Sequence, residues 1–261
     1  MKWVVKIVVP LVLGLFVLGL WQFLVRHYQV PVYVLPAPSD IGQAFVENFA
    51  ELMAAAATTL KIVVSAFLLA LASGVLLAIL FSLSRVVELA LYPYAVILQV
   101  TPVVAIAPLI VIWVHYEHIE LALLILAWIV AFFPILANTT IGLRSADRNL
   151  IDLLRLYGAG RLGILWRVQL PSALPYLLGA MKISGGLALI GAVVAEFAAG
   201  TGNDTGIGWT IIEAGRNLQI ATMFAALALL AVMGVAIFFA LSGLEWALLR
   251  RWHESALKTQ A

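Results

Sequence analysis

The chain has 261 residues, of which 64% are hydrophobic and 11% are charged, and its formal net charge is +2 at pH 7. An ordinary soluble domain carries roughly 25% charged residues, so this composition indicates an integral membrane protein and gives no support for nucleic-acid binding. Cysteine is absent, which excludes disulfides, thiolate metal sites and cysteine nucleophiles.

Six apolar windows predict six transmembrane helices, since each span needs about 20 apolar residues. They cover about residues 6–25, 60–83, 89–114, 119–143, 177–199 and 221–249. These spans use most of the chain and leave no room for a separate soluble domain. An energy source must therefore come from another polypeptide or from an ion gradient.

The basic residues lie in alternate loops. One side holds Arg85, the arginines from 144 to 167, Arg250, Arg251 and Lys258, whereas the other side holds Arg26 and Arg216. By the positive-inside rule, this asymmetry predicts that both termini face the cytoplasm. Lys61 and Lys182 lie near span ends, where their side chains are expected to reach the interface by snorkelling.

The outer segment after the first span predicts a short helix on the outer membrane face. Ser39 and Asp40 form a candidate N-cap. The apolar residues that follow at helical spacing are Ile41, Ala44, Phe45 and Phe49.

The third span is interrupted by prolines in its middle, which makes it a candidate wall of a translocation pathway. Pro102 removes a backbone donor, and irregular backbone at membrane depth is tolerated where it is buried in protein or lines a watery cavity. Gln99, Thr101 and Pro102 are therefore candidate pathway residues. Prolines are also common in membrane helices in general, so ordinary structural use of Pro102 remains an alternative.

Small residues repeat every fourth position in the second and fifth spans, a pattern that favours close helix packing within the chain. Glu196 follows the stripe of the fifth span by one turn after Ala192, so it is expected to face protein. A buried carboxylate needs a partner, and three roles stay open: substrate contact, a gate, or a pair with Arg216. Asn138, near the inner end of the fourth span, is a further pathway candidate or bonds across helices together with its two threonine neighbours.

No catalytic or metal signature is present: the chain lacks G-x-x-x-x-G-K-[ST], H-E-x-x-H and G-x-S-x-G. His115, Glu117, His118 and Glu120 cluster in the outer loop after the third span, and we interpret them as a solvated turn. The chain is therefore expected to be no enzyme and to hold no metal.

The loop over residues 144–175 predicts two short helices on the cytoplasmic face. Apolar residues from Leu150 to Tyr157 line one helix, Gly158 can end it in a left-handed conformation, and a second helix covers residues 161–168 before Leu170 and Pro171. An ordinary cytoplasmic loop is short and polar, so the exposed leucines indicate contact with another protein.

This loop resembles the cytoplasmic signature of inner-membrane permease subunits of ATP-binding-cassette (ABC) importers, E-A-A-x3-G-x9-I-x-L-P. Asp152 takes the Glu position, Leu153 and Leu154 take the two Ala positions, and Gly158 takes the Gly position. After nine further residues, Val168-Gln-Leu170-Pro171 completes the pattern. Similarity extends along most of the chain and is greatest to the nitrate, sulfonate and taurine branch of this binding-protein-dependent transport family.

The resemblance implies one all-α permease domain over residues 1–261, of the type I importer fold, with a cytoplasmic coupling helix between the fourth and fifth spans. The implied coupling residues are Asp152, Leu153, Leu154, Tyr157, Gly158, Leu170 and Pro171. The implied partners are two ATPase subunits that bind ATP and Mg²⁺, a second copy of the permease, and a periplasmic or lipid-anchored substrate-binding protein. This chain would lie in the bacterial cytoplasmic membrane among lipids and hold no cofactor.

The implied cargo is a small solute, either of the sulfonate, nitrate or taurine type, or a heterocycle such as a pyrimidine precursor or riboflavin. An anion would favour a cationic pathway, which the sequence does not show, so a neutral or heterocyclic cargo is slightly favoured. The alternative class is an ion-coupled secondary transporter, which usually has paired ionisable residues at the midplane and an internal repeat.

Overall fold

The computed structural model describes residues 2–199 and 206–250, and this part of the chain contains helices and no strands. Its α-helices are α1 (Lys2–His27), α2 (Pro38–Glu47), α3 (Phe49–Leu83), α4 (Arg85–Val100), α5 (Val103–Val114), α6 (Ile119–Arg144), α7 (Arg148–Leu156), α8 (Arg161–Ile164), α9 (Leu170–Ala199), α10 (Ile207–Arg216) and α11 (Ile220–Leu249). A 3₁₀ turn covers Tyr116–His118, and a π-helical turn covers Leu165–Gln169. Arg251 and Lys258, two of the predicted cytoplasmic cations, lie outside the described residues.

Five of the six predicted spans are long apolar helices, and the third is broken. Among the described helices, α1, α3, α6, α9 and α11 are long and apolar enough to cross a membrane. The third predicted span corresponds to α4 and α5, between which the chain bends by 105°. Pro102 causes the break: it has no N–H to donate, and it holds Thr101 in an extended conformation with ψ 123°. The count is therefore five spans, or six if the bent pair crosses as one.

The short helix after the first span is confirmed as α2, but its cap differs from the prediction. The N-cap is Ala37, and Pro38 occupies the first turn, where its fixed φ suits a helix start. Asp40 lies three residues after the N-cap and still contributes to capping, because its Oδ2 accepts a hydrogen bond from the Ala37 N–H at 3.1 Å. Its Oδ1 also pairs with Arg26 at 2.6 Å, which joins α2 to the end of α1.

The chain divides into two compact units, Met1–Thr58 with Asp204–Val232, and Thr59–Asn203 with Met233–Ala261. In the first unit, α1 packs on α11 through the rings of Trp21 and Phe224, whose centroids are 6.0 Å apart. Asn48 Nδ2 also donates to Thr222 Oγ1 at 3.4 Å. A single permease domain over the whole chain stays a prediction.

In the second unit, α6 packs closely against both α3 and α9. A Cβ atom added to Gly74 of α3 would lie 2.8 Å from Ile135 Cγ2, and one added to Gly191 of α9 would lie 3.0 Å from Ala127 Cα. Small residues are needed at these crossings because the backbones approach within contact distance. Both predicted stripes are buried except for Ser82, which is half-buried, and this confirms the predicted packing within the chain; the buried members are Ala66, Ala70, Gly74, Ala78 and Ala180, Ser184, Ala188, Ala192.

Candidate functional site

The loop between α6 and α9 presents α7 as a well-defined helix. Asp147 begins it, since its carboxylate accepts from the Asn149 N–H at 2.8 Å. Gly158 ends it with φ 80°, the left-handed conformation expected from the sequence. The Gly158 N–H donates to Arg155 O and the Ala159 N–H to Leu154 O, both at 2.9 Å. This pair of bonds is the Schellman motif, which satisfies carbonyls that would otherwise be unpaired at the helix end.

One side of α7 is an exposed apolar surface. The helix buries no residue; Leu156 is 85% exposed, Tyr157 82%, Leu150 49% and Leu153 48%. Ile151 and Leu154 are half-buried on the other side. Two of the predicted coupling residues, Leu153 and Tyr157, therefore face away from the protein, whereas Leu154 faces inward. The outward surface of Leu150, Leu153, Leu156 and Tyr157 is called the α7 apolar face below.

Asp152, at the acidic position of the motif, pairs with Arg155 one turn later at 3.1 Å. Both side chains are about two-thirds exposed, at 67% and 65%. Exposed pairs of this kind contribute about 0–1 kcal/mol, so the carboxylate is easily released to another cation.

The second half of the loop differs from the prediction. A separate helix over residues 161–168 was expected to end before Leu170 and Pro171, but α8, the π-helical turn and α9 form one continuous helix. The π-helical turn at Leu165–Gln169 widens the backbone directly before Pro171, where a proline ring would clash with a normal helical carbonyl. Leu170 and Pro171 thus lie in the first turn of α9, on a different element from the other five coupling candidates.

Two hydrogen bonds tie this loop to the end of α3. Arg161 Nη1 donates to Leu83 O at 3.3 Å, and Ser82 Oγ lies 3.3 Å from Gln169 Oε1. At the opposite end of the loop, Gly142 of α6 lies so close to α9 that an added Cβ would be 2.8 Å from Ala173 Cα. The loop is therefore in contact with the end of α3 and lies beside a close crossing of α6 and α9.

Of the predicted pathway residues, Gln99 lines a cavity of about 310 Å³ between α4, α5, α6 and α9. The other lining residues are Leu98, Val103, Ile129, Val130, Pro134 and Leu187. Among the described residues of the lining, Gln99 is the one with a polar side chain, and none is charged. Thr101 and Pro102 form the adjacent break, where Thr101 Oγ1 donates to Ile97 O at 2.6 Å.

The structure does not bring Asn138 into this cavity. Its Nδ2 donates to Pro134 O in its own helix at 2.8 Å, and Thr140 Oγ1 donates to Leu136 O at 2.7 Å. The expected bonds across helices are therefore wrong for these two side chains, which bond back one turn along α6 instead.

Glu196 is buried with 1% exposure, as expected from its place after the small-residue stripe. Its Oε1 accepts a hydrogen bond from Thr59 Oγ1 at 2.7 Å, and Thr59 is itself fully buried. The Thr59 hydroxyl group, at the beginning of the second predicted span, is thus one partner of the Glu196 carboxylate. Arg216, the partner considered from the sequence, lies 5.6 Å from the Trp209 ring centroid.

Both lysines assigned to snorkelling have carboxylate partners. Lys61 pairs with Glu120 at 2.9 Å at an exposed position, and Lys182 pairs with Glu245 at 2.6 Å with about a quarter of each side chain exposed. Glu120 is one of the four residues of the loop after the third span that were interpreted as a solvated turn, together with His115, Glu117 and His118. No group of three or more metal-ligating side chains is arranged to hold an ion within residues 2–199 and 206–250.

These features define a class: a polytopic helical membrane protein with a broken span beside a cavity and, between two spans, a short helix with an exposed apolar face. The sequence model of the family described as binding-protein-dependent transport system inner membrane component matches residues 70–253, so the chain belongs to this family.

Several proteins named as transport permeases are similar to this chain over most of their length. A probable ABC transporter permease protein of Haemophilus influenzae is 31% identical over 246 residues, which cover 94% of this chain and 97% of the relative. The formylaminopyrimidine transport permease protein ThiX of Halalkalibacterium halodurans is 31% identical, with 92% and 94% covered. The riboflavin transport system permease protein RibX of Chloroflexus aurantiacus is 34% identical, with 90% and 86% covered.

Permeases named for aliphatic sulfonates, taurine and nitrate also match, which agrees with the branch inferred from similarity along most of the chain. The chain is thus an inner-membrane permease of an ABC importer and a transport component. The comparisons support this class and not the ion-coupled secondary transporter.

Proposed function

We propose that α7 is a cytoplasmic coupling helix that docks on a separate ATPase subunit. The observation that carries this proposal is the α7 apolar face, which is exposed on a short helix outside the long apolar segments. Exposed apolar patches bordered by polar groups are typical of protein contacts, and an amphipathic helix fits a groove of its partner. The Schellman motif at Gly158 fixes the end of the helix and thereby the position of Tyr157.

The transporter that this proposal describes contains two such permeases, two ATPases that bind ATP and Mg²⁺, and an extracytoplasmic binding protein. Support comes from the family description, which names a binding-protein-dependent system. ATP-driven closure of the ATPases moves α7, and the ties of the loop to α3, α6 and α9 carry the motion to the pathway. The ATPases supply the nucleotide chemistry, and both termini of this chain face the cytoplasm with them.

For the cargo, we propose a small neutral heterocycle. The uncharged lining of the cavity beside Pro102 favours it, because an anion such as a sulfonate needs cationic or donor groups when it leaves water. Gln99 offers one amide that can both donate and accept, which suits a heterocyclic ring edge. Two relatives are named for a pyrimidine and for riboflavin, and others are named for sulfonates, taurine and nitrate, so this choice rests on the lining of the cavity.

The docking proposal is tested by the substitution Leu153→Asp. A carboxylate in the α7 apolar face must be desolvated on docking, so we expect co-purification of the ATPase to fall at least tenfold while membrane insertion is unchanged. Arg148→Gln is the matched control: it makes the charge of the exposed first turn of α7 more negative by one unit, as Leu153→Asp does, and residue 148 lies about 140° around the helix from Leu153. Equal ATPase recovery with both variants would contradict the docking role.

The cargo proposal is tested by Gln99→Leu in proteoliposomes that contain the complete transporter. We expect uptake of a pyrimidine or flavin substrate to fall by roughly tenfold, since one amide hydrogen bond to cargo is lost. The affinity of the binding protein for the same ligand serves as the internal control. Uptake at the parental rate would remove Gln99 from the pathway, and uptake of sulfonates alone would exclude a neutral cargo.

A further inference from the structure

Behind α7 lies a cleft that the coupling role does not use. It has a volume of about 300 Å³ and lies between the α3–α4 junction and the loop helices. Three of its lining side chains are arginines, Arg85, Arg155 and Arg161, and Ser82 and Gln169 add polar groups. These five residues are called the basic cleft. A volume of 300 Å³ equals that of about ten water molecules at roughly 30 Å³ each, which is enough for a phosphate group and its substituent.

Carboxylates neutralise only part of the positive charge of the cleft. Arg85 pairs with Glu88 at 2.8 Å, and Glu88 is shared with Arg144. Arg155 pairs with Asp152, whereas the bond shown for Arg161 goes to the uncharged Leu83 carbonyl. Around the cleft, four guanidinium groups thus meet two carboxylates, which leaves an excess of two positive charges.

Converging guanidinium groups repel one another, and an anion that bridges them removes this repulsion. Each guanidinium has five N–H donors in a planar fork that matches the oxygens of a phosphate, and such charge-assisted bonds are about twice as strong as neutral ones. Leu83, Ile151 and Ile164 provide apolar walls beside the arginines. The combination of cationic donors and apolar walls suits an amphiphilic phosphate better than a fully hydrated one.

We propose that the basic cleft binds the phosphate group of an anionic lipid of the inner leaflet. The cleft lies at the end of α3 and the beginning of α4, where the long apolar segment of α3 ends and Arg85 begins the next helix. Basic pockets between membrane helices on the cytoplasmic side bind lipid headgroups of this kind. A bound phosphate joins α7 and α8 to the α3–α4 junction, so the lipid braces the coupling loop. The site requires neither the ATPase nor the cargo.

The test uses the purified full-length permease in mild detergent and native mass spectrometry of retained lipid. Phosphatidylglycerol is titrated against phosphatidylcholine, and inorganic phosphate forms a separate arm. We expect preferential retention of phosphatidylglycerol, reduced about fivefold by Arg161→Gln and further by Arg161→Gln with Arg155→Gln. Arg148→Gln is the matched control, because Arg148 is exposed on α7 and does not line the cleft. Arg161→Lys, which keeps the charge, should restore most of the binding and thereby excludes misfolding as the cause.

Four results would overturn the proposal. Equal retention of both lipids by the parent shows no preference for the anion. Equal losses of lipid retention with Arg161→Gln and Arg148→Gln would show that the anionic lipid binds outside the basic cleft. Binding of inorganic phosphate that depends on the arginines, without binding of lipid, would show that the ligand of the cleft is a soluble phosphate. If Arg161→Gln instead weakens ATPase binding and leaves lipid retention unchanged, the cleft is a protein contact.

Discussion

The left-handed residue at the end of α7 allows a sharp test of how strongly coupling depends on this helix. Gly158 has φ 80°, and no atom lies within 4 Å of a Cβ added there. Gly158→Ala therefore introduces no clash with other residues, and its effect arises from the backbone alone. A left-handed conformation costs a residue with a Cβ roughly 1–2 kcal/mol. This corresponds to about a fivefold to thirtyfold lower population of the intact helix end.

Affinity between detergent-solubilised permease and purified ATPase measures this effect. If docking requires the native end of α7, Gly158→Ala should weaken binding by about fivefold to thirtyfold, and Gly158→Asn should weaken it less, because asparagine tolerates the left-handed region. Gly163→Ala is the control: Gly163 lies in α8, and its added Cβ would make an ordinary contact of 3.7 Å with Ala159. Equal affinities for Gly158→Ala and Gly163→Ala would refute the reasoning.

Two further predictions concern the interior of the second unit. Thr59→Val removes the hydroxyl that donates to buried Glu196, so we expect the free energy of unfolding to fall by about 1–3 kcal/mol, measured as a lower Tm in detergent; Thr59→Ser should retain most of the stability. An unchanged Tm with Thr59→Val would show that this bond contributes little. Lys182→Met should lower the free energy of unfolding by roughly 1–3 kcal/mol, because Glu245 stays partly buried without its cation. The double variant Lys182→Met with Glu245→Leu should recover much of this loss. A double variant as unstable as the sum of the two single ones would show that the pair is not coupled.

Local signals predicted the features that depend on neighbouring residues. Pro102 marked the break in the third span, and Gly158 marked the end of α7, since each acts on its own backbone. The four-residue spacing of small residues placed Glu196 on the packed side of α9 in the same way. The motif from Asp152 to Pro171 also identified the family correctly.

Contacts between distant residues were not predictable from these signals. Thr59 and Glu196 are 137 positions apart, Arg161 and Leu83 78, and Lys182 and Glu245 63. Which side chains meet depends on the rotation and axial offset of whole helices, and hydropathy does not determine either. The π-helical turn before Pro171 was missed for a different reason. A proline normally ends a helix, and the sequence does not show that the preceding turn widens to accept it.

The length of α3 constrains how the protein sits in its membrane. Its 35 residues span about 52 Å at 1.5 Å per residue, against a hydrocarbon thickness of about 30 Å. To lie wholly within the hydrocarbon, α3 would have to tilt by roughly 55° from the bilayer normal, which is beyond the range of about 0–40° found for membrane helices. At least two turns of α3 therefore stand in the headgroup layer or in water. Its first turn carries Glu51, so this end of the helix is the part that extends beyond the hydrocarbon.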